Sequence, residues 1–111
     1  MELKILKTDP NFTHVALSGK LDVEGESQIG DEFRRLVESH RCNFLVDMSQ
    51  VSYLASLGIR LLFAGAKSLA AEGKKLVVID PQQMVEETLL NSGTAKFIPI
   101  TRDASEAAAL L

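Results

Sequence analysis

Hydrophobic and polar positions alternate along residues 2–7, "ELKILK", where Leu3 and Ile5 interleave with Glu2 and Lys4. Period-two alternation of this kind predicts a half-exposed strand. "TDPN" at 8–11 supplies turn chemistry, since proline presets one dihedral and short polar side chains satisfy nearby backbone. "FTHVALSG" then places Thr13, Val15 and Leu17 on one face, so the first two strands are expected to form a hairpin. After Gly19, Asp22 is positioned to cap a helix whose apolar stripe is Ile29, Phe33, Leu36 and Val37. "NFLVDM" and "LVVID" are continuous apolar runs, the pattern of strands covered on both faces. Between them Ile59, Leu62, Phe63, Ala66, Leu69 and Ala70 make a second helical stripe, with Gly73 as its stop. Pro81 opens a third helix carrying Met84, Val85 and Leu89, which "NSG" ends. "KFIPI" reads as a last strand, placed at an edge by Pro99, and Asp103 with Glu106 reads as a capping box for "ASEAAALL".

The expected order is β-β-α-β-α-β-α-β-α. It predicts a single small α/β domain over 1–111, with a mostly parallel sheet of four to five strands in sequential order, an N-terminal antiparallel hairpin, and helices mainly on one face. The length of 111 residues suits one domain, and a charge of −3 leaves no basic footprint for nucleic acid. No apolar run is long enough for a membrane span, and "MELKILKTDP" carries charges where a secretion signal needs an apolar core. Cys42 is the only cysteine, so a reducing, cytoplasmic setting without direct membrane insertion is expected.

Candidate chemistry is sparse. His14, His40 and Cys42 lack the paired spacing of a metal site. His40 is expected to answer a helix dipole, His14 to sit on a solvated strand face, and Cys42 to act as a small buried hydrophobe at a strand start. No phosphate-cradling glycine loop and no GxSxG elbow occurs, so no cofactor and no catalytic residue is assigned. Asp47, at the expected end of a buried strand, is where a phosphate-accepting receiver domain would carry its aspartate. The acidic pair that would hold Mg²⁺ after the first strand is missing, and the alternative role for Asp47 is to bind local backbone amides. Ser56 stands at the bend from strand to helix between Ala55 and Leu57, where a plain N-cap serine is one reading.

"DMSQVSYLASLGIRLL" resembles the signature segment of the STAS domain family, found in anti-sigma factor antagonists and in sulphate-transporter tails. Asp47, Ser49, Val51, Tyr53, Leu54, Ser56 and Gly58 match its pattern, and "LSGKLD" at 17–22 matches a second family signature. The resemblance implies a non-enzymatic binding protein in which Ser56 is the phosphorylation site. It also implies partner contacts at Asp22, Ser52, Tyr53, Leu54, Ala55, Leu57, Gly58 and Arg60. The implied partners are an anti-sigma factor that is also a serine protein kinase, bound by the unmodified form and released by phosphorylation, and a serine phosphatase. Arg60, four residues along the helix, is placed to pair with the phosphate. Two positions depart from the family pattern: Ala55 stands where an aspartate is frequent, and Leu57 where a second small residue follows. They keep open an alternative, a constitutive STAS subunit of another complex, for example beside a transport ATPase, with Ser56 unmodified.

Overall fold

The computed structural model describes residues 1–111. Its elements are β1 (Glu2–Thr8), β2 (Phe12–Leu21), α1 (Val23–His40), β3 (Asn43–Leu54), α2 (Ser56–Ala70), β4 (Leu76–Ile79), α3 (Gln83–Asn91), a 3₁₀ turn (Thr94–Lys96), β5 (Ile100–Thr101) and α4 (Ala104–Ala108). One five-stranded sheet runs in the order β1-β2-β3-β4-β5. The β1–β2 pair is antiparallel and every later pair is parallel, as the hairpin and the helical crossovers require. No helix is long and apolar enough to cross a membrane.

The two faces of the sheet are covered unequally. Val15 and Leu17 of β2, and Phe44, Val46 and Met48 of β3, meet α1, α2 and α3 in one continuous core that also takes in Phe33, Leu62, Leu69, Val85 and Leu89. On the other face Leu45, Val77 and Ile79 pack under Ala107 of α4. Three helices therefore lie on one face and the short α4 on the other, in keeping with the expected bias. Asp22 caps α1 through a bond from the Gly25 amide at 2.9 Å, and Asp103 caps α4 through the Glu106 amide at 2.8 Å. Cys42 is buried, with its sulfur 3.2 Å from the Thr13 hydroxyl, and His40 reaches the same hydroxyl with Nδ1 at 3.3 Å.

Several local expectations change. The strand expected at 43–48 continues to Leu54, because β2 keeps pairing with it as far as Leu21 opposite Leu54, across two register irregularities. Asp47 is consequently mid-strand, accepting the Ser49 amide at 2.9 Å. The buried stripe of α2 is Gly58, Leu61, Leu62, Gly65 and Leu69, while Phe63 and Ala70 face outward. Gly65 explains the rotation: a Cβ there would lie 3.1 Å from Cε1 of Phe33, so the bare backbone is what lets α2 close on α1. Met84 is exposed, since α3 presents only Val85 and Leu89 to the core. "KFIPI" contributes little strand: Lys96 ends the 3₁₀ turn, Phe97 is exposed, and β5 is the pair Ile100–Thr101 at the sheet edge.

His14 is not on a solvated face either, because its Nε2 is buried without a hydrogen-bond partner. Burial pushes its pKa below the usual value, opposed by Asp47 and assisted by Lys7. Unfolded, the imidazole takes a proton near about 6.5. Folded, it does so only at lower pH, so between the two values the unfolded chain binds more protons. The stability from neutral His14 is present above the unfolded value and is lost as pH falls toward the folded one. The urea midpoint should drop as the pH falls below about 6.5, and by less in His14→Leu. Identical pH slopes in the two proteins would contradict this.

Candidate functional site

The site is built where β3 hands over to α2. Leu54 ends the strand, the Ala55 amide donates to the Leu21 carbonyl at 3.0 Å, and the first helical bond runs from the Ile59 amide to the Ala55 carbonyl at 3.0 Å. Ala55 is thus the N-cap, extended at φ −104°, with no side chain capping the helix. Ser56 is the first helical residue, which overturns the plain-cap reading: its hydroxyl bonds to nothing within the chain and is exposed. The first turn of α2 also contains no acidic residue. Its free amides and the positive end of the helix dipole are left for whatever approaches.

The positions singled out around Ser56 divide by depth. Ser52, Tyr53 and Arg60 are exposed, and Ala55 and Leu57 are half-buried with part of their surface open. Leu54 is 5% exposed and Gly58 is buried, so neither can offer a contact surface; they set the position of those that can. Leu54 alternates inward at the end of a strand, and Gly58 lies on the sheet side of α2. Asp22 is half-buried and its carboxylate is committed to the α1 cap.

Gly58 fixes how close the helix start sits. A Cβ there would stand 2.6 Å from Cγ of Leu21, 2.7 Å from the Leu21 carbonyl oxygen and 2.8 Å from Cδ1 of Leu54. Because one of these is backbone, Gly58→Ala must lift the first turn of α2. Overpacking of this kind costs about 1–3 kcal/mol, against a gain in helix propensity of at most about 1 kcal/mol. The variant should unfold at lower urea and show shifted amide resonances at residues 55–60. A stability equal to that of the parent would mean that the junction has slack.

Beyond Ser56 the surface continues as an open cavity of about 540 Å³, lined by Ser56, Ile59, Arg60 and Phe63 of α2 and by Ser92, Gly93, Thr94, Lys96 and Phe97 of the turn after α3. Phe63 and Phe97 meet edge to face, with centroids 5.5 Å apart at 87°. Lys96 and Phe97 fall in a segment whose own pattern reads as a strand, so only the turn after α3 brings them to this cavity. The available signal was "NSGTAKF", a helix stop followed at once by a lysine and an aromatic.

The family model described as Mlab, STAS domain matches residues 6–100. The chain belongs to the STAS domain family. No curated protein matches it. Among solved structures, an anti-sigma factor antagonist from Mycobacterium paratuberculosis is similar over 98% of this chain and 93% of its own, at 20% identity and a TM-score of 0.82. SpoIIAA of Bacillus in its phosphorylated form is similar over 97% of both chains, at 16% identity and a TM-score of 0.73. A serine-to-glutamate variant of RsbS from Moorella thermoacetica is similar over 96% of this chain and 91% of its own, at 18% identity and a TM-score of 0.74. At such identities the shared property is the STAS fold, and the fold covers this domain nearly end to end.

Proposed function

We propose that this STAS domain is a phosphorylation-switched binding protein of the anti-sigma factor antagonist type. In its unmodified form it docks on an anti-sigma factor that is also a serine kinase, phosphate on Ser56 releases that partner, and a serine phosphatase restores binding. The domain itself catalyses nothing and works in the cytoplasm. The observation that carries this reading is the state of Ser56: exposed, free of internal hydrogen bonds, and at an uncapped helix N-terminus. A phosphoryl group there brings about −1.5 to −2 charges, which the fold receives on free amides and a favourable dipole. Arg60, one helical turn on, is available to the same group. The half-buried apolar Ala55 and Leu57 beside it form the contact that a dianion would spoil. Support also comes from the similar SpoIIAA, whose structure is known both unphosphorylated and phosphorylated.

Ala55 favours a second reading. With no carboxylate before the serine, a kinase has one less group to recognise, and a constitutive subunit of another complex would need no modification. Mass spectrometry of the protein isolated from its own cell separates the two. A single phosphate on Ser56, absent from Ser56→Ala, is the expected result. No phosphate under any growth condition, with an indifferent Ser56→Ala, would leave the constitutive subunit.

A further inference from the structure

The cavity that begins at Ser56 does not end at Phe63. A second stretch of about 360 Å³ runs on along α2, lined by Phe63, Ala66, Lys67, Ala70 and Phe97. Phe97 is 67% exposed and Phe63 39%, so two aromatic rings stand in solvent at the centre of one groove. Exposed aromatics on a concave apolar surface are characteristic of contact sites. The polar rim is one-signed: Arg60, Lys67 and Lys96 line the groove and no carboxylate does. None of the three cations is held in an ion pair, the chain's salt bridges being made by Arg34, Arg41 and Arg102. This basic rim belongs to a chain whose net charge is −3.

We infer that the groove between α2 and the turn at 92–97 receives an acidic amphipathic helix of a partner protein. Its apolar residues would cover Phe63 and Phe97, and its carboxylates would meet Arg60, Lys67 and Lys96. The concave shape suits side chains inserted at helical spacing. An anionic bilayer is the poorer occupant, because it needs a protruding apolar surface and a net attraction that a chain of charge −3 does not provide. The inference rests on the binding role proposed above and gives its switch a physical cause. A phosphate on Ser56 would claim Arg60 and set its own charge against an acidic visitor entering the same groove.

The test uses a phage-displayed library of randomised helical peptides selected against the full chain. Enriched peptides should be net acidic, with apolar residues at three- and four-residue spacing. The chain contains no tryptophan, so a tryptophan placed in a selected peptide reports its binding without background. Phe97→Ser, at an exposed position, and the double variant Lys67→Glu, Lys96→Glu should each weaken that binding at least about tenfold with the native circular dichroism spectrum retained, Phe97→Ser giving up only its edge contact with Phe63. Raised salt should weaken it in the parent. Failure to enrich any peptide, enrichment of basic ones, or equal binding by the variants would overturn the inference. So would sedimentation with phosphatidylglycerol vesicles by a protein that ignores the peptides. A Ser56→Glu arm keeps the two ideas apart: if it binds the peptide as the parent does while Phe97→Ser does not, the groove stands and the switch falls.

Discussion

Ser56→Glu should lose partner binding by at least about tenfold while becoming slightly more stable, and the opposite signs are what make the experiment decisive. The stability gain follows from the helix. The first turn of α2 has no acidic residue and no side-chain cap, so a carboxylate at its first position meets free amides and the positive dipole end, worth about 0.3–1 kcal/mol. The binding loss follows from the surface. A partner that covers Ala55 and Leu57 must strip water from the new charge, and one that approaches with acidic groups is also repelled. Urea unfolding and titration calorimetry with the proposed anti-sigma factor partner measure the two quantities on the same sample. Ser56→Ala should retain binding, which separates the effect of charge from loss of the hydroxyl. If the glutamate variant binds as tightly as the parent, phosphorylation at this residue cannot be the release step.

The largest loss of stability is expected from Phe33→Ala. Phe33 is 1% exposed, edge-on to Phe44 with centroids 6.4 Å apart, and its ring stands 3.1 Å from where a Cβ on Gly65 would lie. It fills the space between α1, α2 and β3, and neither helix can collapse into the hole because each is already seated on the sheet. Removing such a ring costs about 3–5 kcal/mol, a large part of the stability of a domain of this size. Urea unfolding should show the midpoint falling with an unchanged slope. The damage should also reach function, since α2 carries Ser56 and takes its rotation from this seam. A loss below about 1 kcal/mol would show that the seam repacks.

The same seam marks the boundary between what the chain states locally and what it does not. Element order, the opening hairpin, the caps at Asp22 and Asp103 and the position of Ser56 are all legible in the sequence. Each depends on residues within a few positions of one another: a turn, an alternation, an oxygen aimed at an amide three residues on. The doubly covered strand at 43–48 is legible for the same reason, because its apolar run is continuous.

Which face of α2 is buried was settled only in three dimensions. Hydrophobic periodicity counts side chains, and Gly58 and Gly65 have none, so the stripe read from the sequence was turned toward Phe63 and Ala70. The glycines nevertheless lie against Leu21 of β2 and Phe33 of α1, which come from elements distant in the chain. The length of β3 was likewise set by its pairing with β2 rather than by its own pattern. Lys96 and Phe97 join the Ser56 groove because the chain turns after α3 instead of extending. The sequence by itself determined where the Ser56 hydroxyl stands and what kind of domain bears it. The tertiary structure decided which neighbours it has, because contacts between remote elements depend on shape and register that no local pattern encodes.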